Sequence, residues 1–393
     1  MSNKIELLAP AGDINRGKIA LDFGADTIYF GGKQYSLRAR ASNFDVPQLH
    51  EIINYAHAHN KKAYLVTNII CHNHMLKEFD KFLEEVNKTP PDAFLCADPA
   101  VIQKIKKNVP NAVIHVSTQQ SVTNSKATLF WKRNGASRIV TAREVSFEEI
   151  KSMVSNVQNQ IEIEMFVHGA VCIAYSGRCM LSSNMCLRDA NNGGCAQSCR
   201  WVSELLKENN SLSNTFSMSA KDMCLINYID KIKSIGISSI KIEGRMKSEH
   251  YIATIINAYS KVLNNGISAE YINDVLTAAN RDTSVAWFNG EPTKNEMLYH
   301  EIPKNVNQLF AMIVDKKIGD DTYQVFSKNY FRSSDTFQVL GKKLKHIEDV
   351  KLISIKDATN ESIEIVNTPM SKLIVKFNKP LDLYPMDMLR IKK

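Results

Sequence analysis

The sequence predicts an α/β protein, a TIM-like (β/α)8 barrel followed by a small C-terminal all-β barrel domain. Three observations predict it. Eight short apolar runs recur along the first two thirds of the chain, with helical patterns between most of them. The runs are nearly continuous rather than alternating, as in parallel strands buried on both faces. From Leu309 the texture changes to short strands separated by Gly, Asn and Asp turns, the pattern of a small antiparallel barrel.

The runs are IELLA (5–9), TIYF (27–30), AYLVT (63–67), AFLC (93–96), VIHVS (113–117), RIVT (138–141), IEIEMFVH (161–168) and SIKIE (239–243). Segments between them, such as FDVPQLHEIINYAHAHN and DPAVIQKIKKNVP, space apolar residues three and four apart, as helices packed on one side do. Eight such units in about 260 residues have the rhythm of a TIM barrel, and an open doubly wound sheet is the main rival. HYIATIINAYSKVLNNG closes the barrel. Seven C-terminal strands follow, LFAMIV, TYQVF, TFQVL, KLISI, SIEIV, KLIVKF and MLRI. The expected domain limits are 1–295 for the large barrel, 296–308 for a linker and 309–393 for the small one.

Composition narrows the class. Of 393 residues, 44% are hydrophobic and 23% charged, and no apolar stretch approaches the length of a membrane span. MSNKIELLAPAG carries an acid and a proline in its short apolar run, which argues against a signal peptide. A soluble, cytoplasmic protein in a reducing environment is expected, where clustered thiols serve metal or redox chemistry more often than disulfides. The net charge of +8 attracts polyanions such as RNA. Residues 309–393 hold fifteen basic and eleven acidic side chains, half of that surplus, so the small domain reads either as an RNA-handling accessory or as a structural cap.

In a barrel, the residues just after each strand face the catalytic mouth. Here they are Pro10-Ala11-Gly12, Gly31-Gly32, Asn68, Asp98, Gln119-Gln120, Arg143-Glu144, His168-Gly169 and Glu243-Gly244-Arg245. His168 is a candidate acid, base or orienting group, with a structural histidine as the alternative. Arg38, Arg40 and Arg245 are candidate clamps for carboxylates or phosphates, with solvated ion pairs as the alternative.

The connection from the seventh run to the eighth is about 70 residues long and holds five of the eight cysteines between His168 and Arg200. Cys172, Cys179, Cys195 and Cys199 form C-x6-C-x15-C-x3-C among Gly, Ser and Asn. Four thiolates gathered by flexible turns suit structural zinc or an iron–sulfur cluster. Only the last pair has a zinc-knuckle spacing, so the pattern leans toward iron–sulfur, with zinc and unliganded thiols as alternatives. Cys71, Cys96, Cys186 and Cys224 read as small buried hydrophobes, with Cys186 as an alternative ligand and Cys224 able to approach the loop. No HExxH, GxSxG or GxxxxGK[ST] motif occurs, which leaves metalloprotease and nucleotide hydrolase chemistry without its usual signature.

LLAPAGD, ADTIYFGGKQYSLRARASNF, FVHGAVCIAYSGRCMLSS, NNGGCAQSCRW, SAKDMCLI and SIKIEGRMKS resemble, in order and spacing, the collagenase-like peptidase family of the U class. The similarity covers most of the first 290 residues, and the layout around the cysteines is most similar to the tRNA hydroxylation branch. That resemblance implies a 4Fe-4S cluster on Cys172, Cys179, Cys195 and Cys199. It implies hydroxylation of the wobble uridine of tRNA to 5-hydroxyuridine, with prephenate as co-substrate and a second family protein as partner. On this reading His168, Glu243 and Arg245 are catalytic candidates, and Arg38, Arg40, Asn68, Gln119 and Tyr175 bind substrate. The alternatives are a collagenase-like peptidase, after the family's historical label, and a non-enzymatic RNA-binding scaffold.

Overall fold

The computed structural model describes residues 4–37, 43–206, 212–298, 308–344 and 347–392. Eight parallel strands close into a barrel: β1 (Glu6–Pro10), β2 (Thr27–Gly31), β3 (Lys62–Thr67), β4 (Ala93–Cys96), β5 (Ile114–Val116), β6 (Arg138–Val140), β7 (Glu162–Ala170) and β8 (Ser239–Ile242). Closure is made by β8, which pairs with β1 through Glu6 and Ser239 and with β7 through Glu164 and Ser239. All eight anticipated runs are strands of this barrel, and the open-sheet alternative is excluded by the β7–β8 pairing. The runs read as continuous because both faces are covered: every residue of TIYFG in β2 is buried.

Helices pack outside: α1 (Ile14–Asp22), α2 (Val46–Ala58), α3 (Asn73–Val86), α4 (Pro99–Asn108), α5 (Ser125–Arg133), α6 (Phe147–Val157), α7 (Ile229–Ser234) and α8 (Glu249–Asn265). Their starts are set by the sequence. Asp13, Asp45, Asp98, Asn124, Ser146 and Ser248 each accept a bond from a backbone N–H of the first turn. Asp45 with Gln48, and Ser146 with Glu149, form complete capping boxes. These caps fix where each βα loop ends, and so which residues the loop offers to the mouth.

The N-terminal end of the barrel is filled by charge. Arg138 Nη1 lies 2.5 Å from Glu6 and 3.0 Å from Glu164, which also takes Lys241 Nζ at 3.0 Å. Tyr64 donates to Glu6 at 2.7 Å. Burial alone would push the Glu164 carboxyl up; Lys241 and Arg138 together reverse this and hold it below the usual range.

After β7 the chain makes its long excursion. It returns as Asp222–Cys224, antiparallel to the end of β7, with Cys224 opposite His168. Beyond α8 and α9 (Ala269–Ala278), six antiparallel strands close a second barrel: β9 (Gln308–Lys317), β10 (Thr322–Ser327), β11 (Thr336–Leu340), β12 (Glu348–Lys356), β13 (Lys372–Phe377) and β14 (Met388–Lys392). Seven strands were expected there. The fifth of them, SIEIV, contributes only Ile365–Val366, paired with Phe331–Arg332 outside the closed barrel. It buries Val366 while leaving Ile365 half exposed, too little apolar surface to hold a full strand in the wall. The small barrel docks on α8 and α9 through a buried Arg390–Asp274 pair, the ring of Phe310 stacked on His250 at 5.3 Å, and Lys328 bonded to Glu249 at 3.1 Å. Among the described residues no helix is long and apolar enough to cross a membrane.

Candidate functional site

At the C-terminal end of the strands lies a cavity of about 160 Å3. Barrel strands supply its base, with Tyr29 from β2, Phe166 from β7 and Lys241 from β8. Lys241 Nζ sits 4.4 Å from the centre of the Tyr29 ring and 5.5 Å from that of Phe166, so two aromatic faces share the cation with Glu164. Above them the strand ends contribute Asn68, Gln119, Arg143, Glu243 and Arg245. Tyr29 Oη donates to Ile242 O at 2.9 Å and stands 3.3 Å from the Glu243 carboxylate, and Arg143 stands 3.9 Å from the same carboxylate with its guanidinium 4.1 Å over Phe166. Arg245 is buried and directs its guanidinium to Asn43 and, at 3.5 Å, to Ser36 on the loop after β2. Asn68 donates to Gln119 and accepts from Leu37 N at 3.2 Å.

Two glycines make this crowding sterically feasible. Gly169 has φ +103°, and a Cβ there would lie 2.4 Å from the carbonyl of Glu243. A Cβ on Gly31 would meet Ser36 at 2.5 Å and the Arg245 guanidinium at 2.8 Å.

The excursion forms the remaining wall, and Cys172, Cys179, Cys195 and Cys199 all border the cavity. Cys199 lies within electrostatic reach of the other three thiols, and burial pushes both its thiol and that of Cys172 upward. The turns that carry them are clamped to the barrel. Glu144 accepts from Ser176 N and Ser176 Oγ, both at 2.6 Å. Arg178 Nε donates to Gln119 O at 2.8 Å, and Ile70 N to Asn191 O at 3.1 Å. Inside the loop Asn191 exchanges bonds with Cys179 N and O, and Ser182 Oγ accepts from Ala196 N at 3.0 Å.

Among the described residues no three His, Cys, Asp or Glu side chains are placed to hold one metal ion. A single zinc would need its sulfurs about 2.3 Å from one centre. Four thiols spread around one cavity, with no imidazole among its described lining residues, fit a polynuclear iron–sulfur centre in their chemistry and number.

Other sequence candidates lie elsewhere. His168 does not border the cavity: its Nδ1 is 3.3 Å from Tyr259 Oη, its ring packs beside Tyr251, and burial lowers its pKa to about 4. It is a neutral histidine seated behind the site. Tyr175 is exposed and does not line the cavity, whereas its neighbour Ser176, at φ +46°, does and donates to Glu144. Arg38 and Arg40 lie outside the described residues. Cys96 is buried, Cys71 and Cys224 are partly buried beside the main core, and Cys186 bonds to Ser182 O; none of the four borders the cavity. Conversely, Tyr29 and Lys241 were missed. A lysine inside a buried apolar run, as in SIKIE, was the available signal, since an unpaired lysine is almost never buried.

Comparison with known proteins places these residues in context. The family model described as Peptidase family U32 matches residues 12–298, and that of its C-terminal domain matches residues 307–390. The chain is 38% identical to tRNA hydroxylation protein P1 of Bacillus subtilis across 99% of this chain and 95% of that protein. It is 31% identical to tRNA hydroxylation protein P of Haemophilus influenzae over 86% of each. It is also 29% identical to a protein of Porphyromonas gingivalis named Collagenase, over 70% of this chain and 69% of that one.

Proposed function

The chain belongs to peptidase family U32, and from that premise we propose that it acts in RNA modification, as the enzyme or enzyme subunit that hydroxylates the wobble uridine of tRNA at C5. What carries the reading is the similarity to a tRNA hydroxylation protein over nearly the whole of both chains, small barrel included. Cys172, Cys179, Cys195 and Cys199 would hold a 4Fe-4S cluster, which supplies electron transfer when bound. Around it this chain's own residues have plain tasks. Arg143 and Lys241 present positive charge to an anionic co-substrate, for which prephenate is our candidate. Glu243, oriented by Tyr29 and Arg143, can hold or accept a proton at the cavity wall. Arg245, locked to the β2 loop, keeps the β8 loop in place.

Peptide hydrolysis is supported by the Porphyromonas relative's name, yet a cysteine nucleophile needs a base beside it. Among the described residues no histidine borders the cavity, and its carboxylate, Glu243, is engaged with Tyr29 and Arg143. The deciding experiment is mass analysis of tRNA nucleosides from a strain lacking this protein. Loss of 5-hydroxyuridine and its derivatives is expected, with restoration by the intact gene; normal levels would refute the assignment. Purified protein is expected to leave gelatin uncut.

A further inference from the structure

Charge is unevenly placed around the cavity. Among its described lining residues the four charged side chains are Arg143 after β6, Lys241 on β8, and Glu243 and Arg245 after β8. The arc from β3 to β5 supplies only neutral groups, Val66, Asn68, Leu95, Ser117, Thr118 and Gln119. Charges close behind that arc are already engaged: Asp98 accepts from Cys71 N and Ala100 N, and Arg178 donates to Gln119 O and Gln120 Oε1.

Within the neutral arc, hydrogen bonds fix which way two amides face. Leu37 N can only donate, so Asn68 turns its oxygen toward it, at 3.2 Å. Asn68 Nδ2 is thereby directed to Gln119 Oε1, which also accepts from Ser117 Oγ at 3.1 Å. The oxygen of Gln119 is engaged twice, and its Nε2 finds no acceptor among the described residues. Gln119 is 3% exposed and borders the cavity. A donor so deeply placed is destabilising when left unpaired, and a ligand acceptor would satisfy it. Gln119 also adjoins the thiol wall: its carbonyl takes Arg178, which precedes Cys179, and its Cγ lies 3.8 Å from where a Cβ on Gly177 would stand. A neutral donor among neutral groups suits the carbonyl of an uncharged ring, whereas a carboxylate is better matched by Arg143 and Lys241 across the cavity.

We propose that Gln119 Nε2, oriented by Asn68 and Ser117, donates to the C4 carbonyl of the target base and so selects uracil over cytosine, which carries an amino group at C4. This rests on the uridine reading above and adds to it the residue that sets base identity. C5, the carbon to be hydroxylated, is bonded to C4, so the same contact keeps it beside the thiol wall.

The test titrates the cluster-loaded protein, by anisotropy, with two unmodified tRNA transcripts that differ only in having U or C at the wobble position. The parent is expected to favour the U transcript about fivefold, the worth of one neutral hydrogen bond. Gln119→Leu should bind the two equally. Gln119→Glu should prefer the C transcript, because one carboxylate oxygen takes over the bonds from Asn68 and Ser117 and the other accepts from the amino group. Asn68→Asp, which can only accept, should turn the Gln119 amide over and move the preference the same way. The visible spectrum should be unchanged in all three, and a reversed preference cannot come from misfolding. A parent that binds both transcripts equally would overturn the proposal. So would a Glu variant that keeps the preference for U, or a Leu variant that keeps it while losing affinity for prephenate, since the donor would then serve the co-substrate. If hydroxyuridine persists in the deletion strain while the preferences hold, the functional reading falls and base selection by Gln119 stands. If hydroxyuridine is lost but the transcripts bind alike, base selection alone falls.

Discussion

At the N-terminal end of the large barrel Arg138 meets Glu6, Glu162 and Glu164, all within 3.0 Å, whereas at the C-terminal end Arg143 stands 3.9 Å from Glu243 and rests on the face of Phe166. One strand, β7, supplies members of both groups. Along β7, Glu164 faces the closed floor and Phe166 faces the cavity; along β8, Lys241 touches both. At the floor Arg138, Glu6, Glu162, Glu164 and Lys241 are joined at bonding distance, which makes a charged plug. At the mouth, cations, a carboxylate and four thiols surround open space, an arrangement suited to ligands the chain does not itself supply. This division of labour between the two ends is general to the fold, with stability below and chemistry above, and here it can be broken experimentally from either side.

The largest effect is expected at the mouth. Cys195→Ser should abolish the broad visible absorbance of an iron–sulfur centre and its iron and sulfide, together with tRNA hydroxylation in a complemented strain. Unfolding of the barrel should shift by only a few degrees, because the loop is joined to the barrel by scattered hydrogen bonds and contributes little to the main core. If the variant instead unfolds as a whole, the thiols brace the fold and the contrast between the two ends is wrong.

At the floor the prediction reverses. Arg138→Met leaves Glu6 and Glu164 short of a partner in a buried setting, at a cost of about 3–5 kcal/mol read from urea unfolding. Iron content should be retained in whatever protein remains folded. The pH dependence has a definite sign. Glu6 and Glu164 are held below the ordinary carboxylate range, despite burial, by Arg138 with Tyr64 or Lys241. The stability they contribute is present in full above the unfolded-state value near 4.3 and is lost as pH falls below it. Arg138→Met should flatten that acid limb, and an unchanged acid limb would place the acid sensitivity elsewhere.

How much of this was legible in the sequence follows from the same contrast. Buried strands announce themselves as apolar runs, and the capping residues Asp45, Asp98 and Ser146 mark helix starts, so the barrel and its eight strands were readable. The thiol wall was readable because cysteine spacing survives any loop conformation. The interior floor was not, since Glu6, Glu164 and Arg138 look like ordinary polar residues until closure brings strands 132 residues apart into contact. His168 and Tyr175 do not border the cavity, for a related reason. A place at or beyond the end of β7 fixes which end of the barrel a residue occupies but not which way its side chain turns. A glycine with positive φ after His168, and left-handed backbone at Ser176, set those directions.

The smallest expected effect tests the joint between the two regions. Glu144 belongs to the barrel, on the loop after β6, yet both its oxygens are spent on Ser176, in the turn between Cys172 and Cys179. These are hydrogen bonds to a charged group, individually stronger than neutral ones, and they hold Ser176 in a left-handed conformation that a non-glycine residue rarely adopts unaided. Removing them should loosen the thiol wall without disturbing the plug. Glu144→Ala is therefore expected to change global stability by about 1 kcal/mol or less, while iron loss to a chelator accelerates roughly tenfold, as when the outer support of a metal ligand is removed. Retention of iron at the parental rate would mean that the cysteine loop is ordered by its internal bonds, such as those of Asn191 and Ser182, and that the barrel serves it only as a floor.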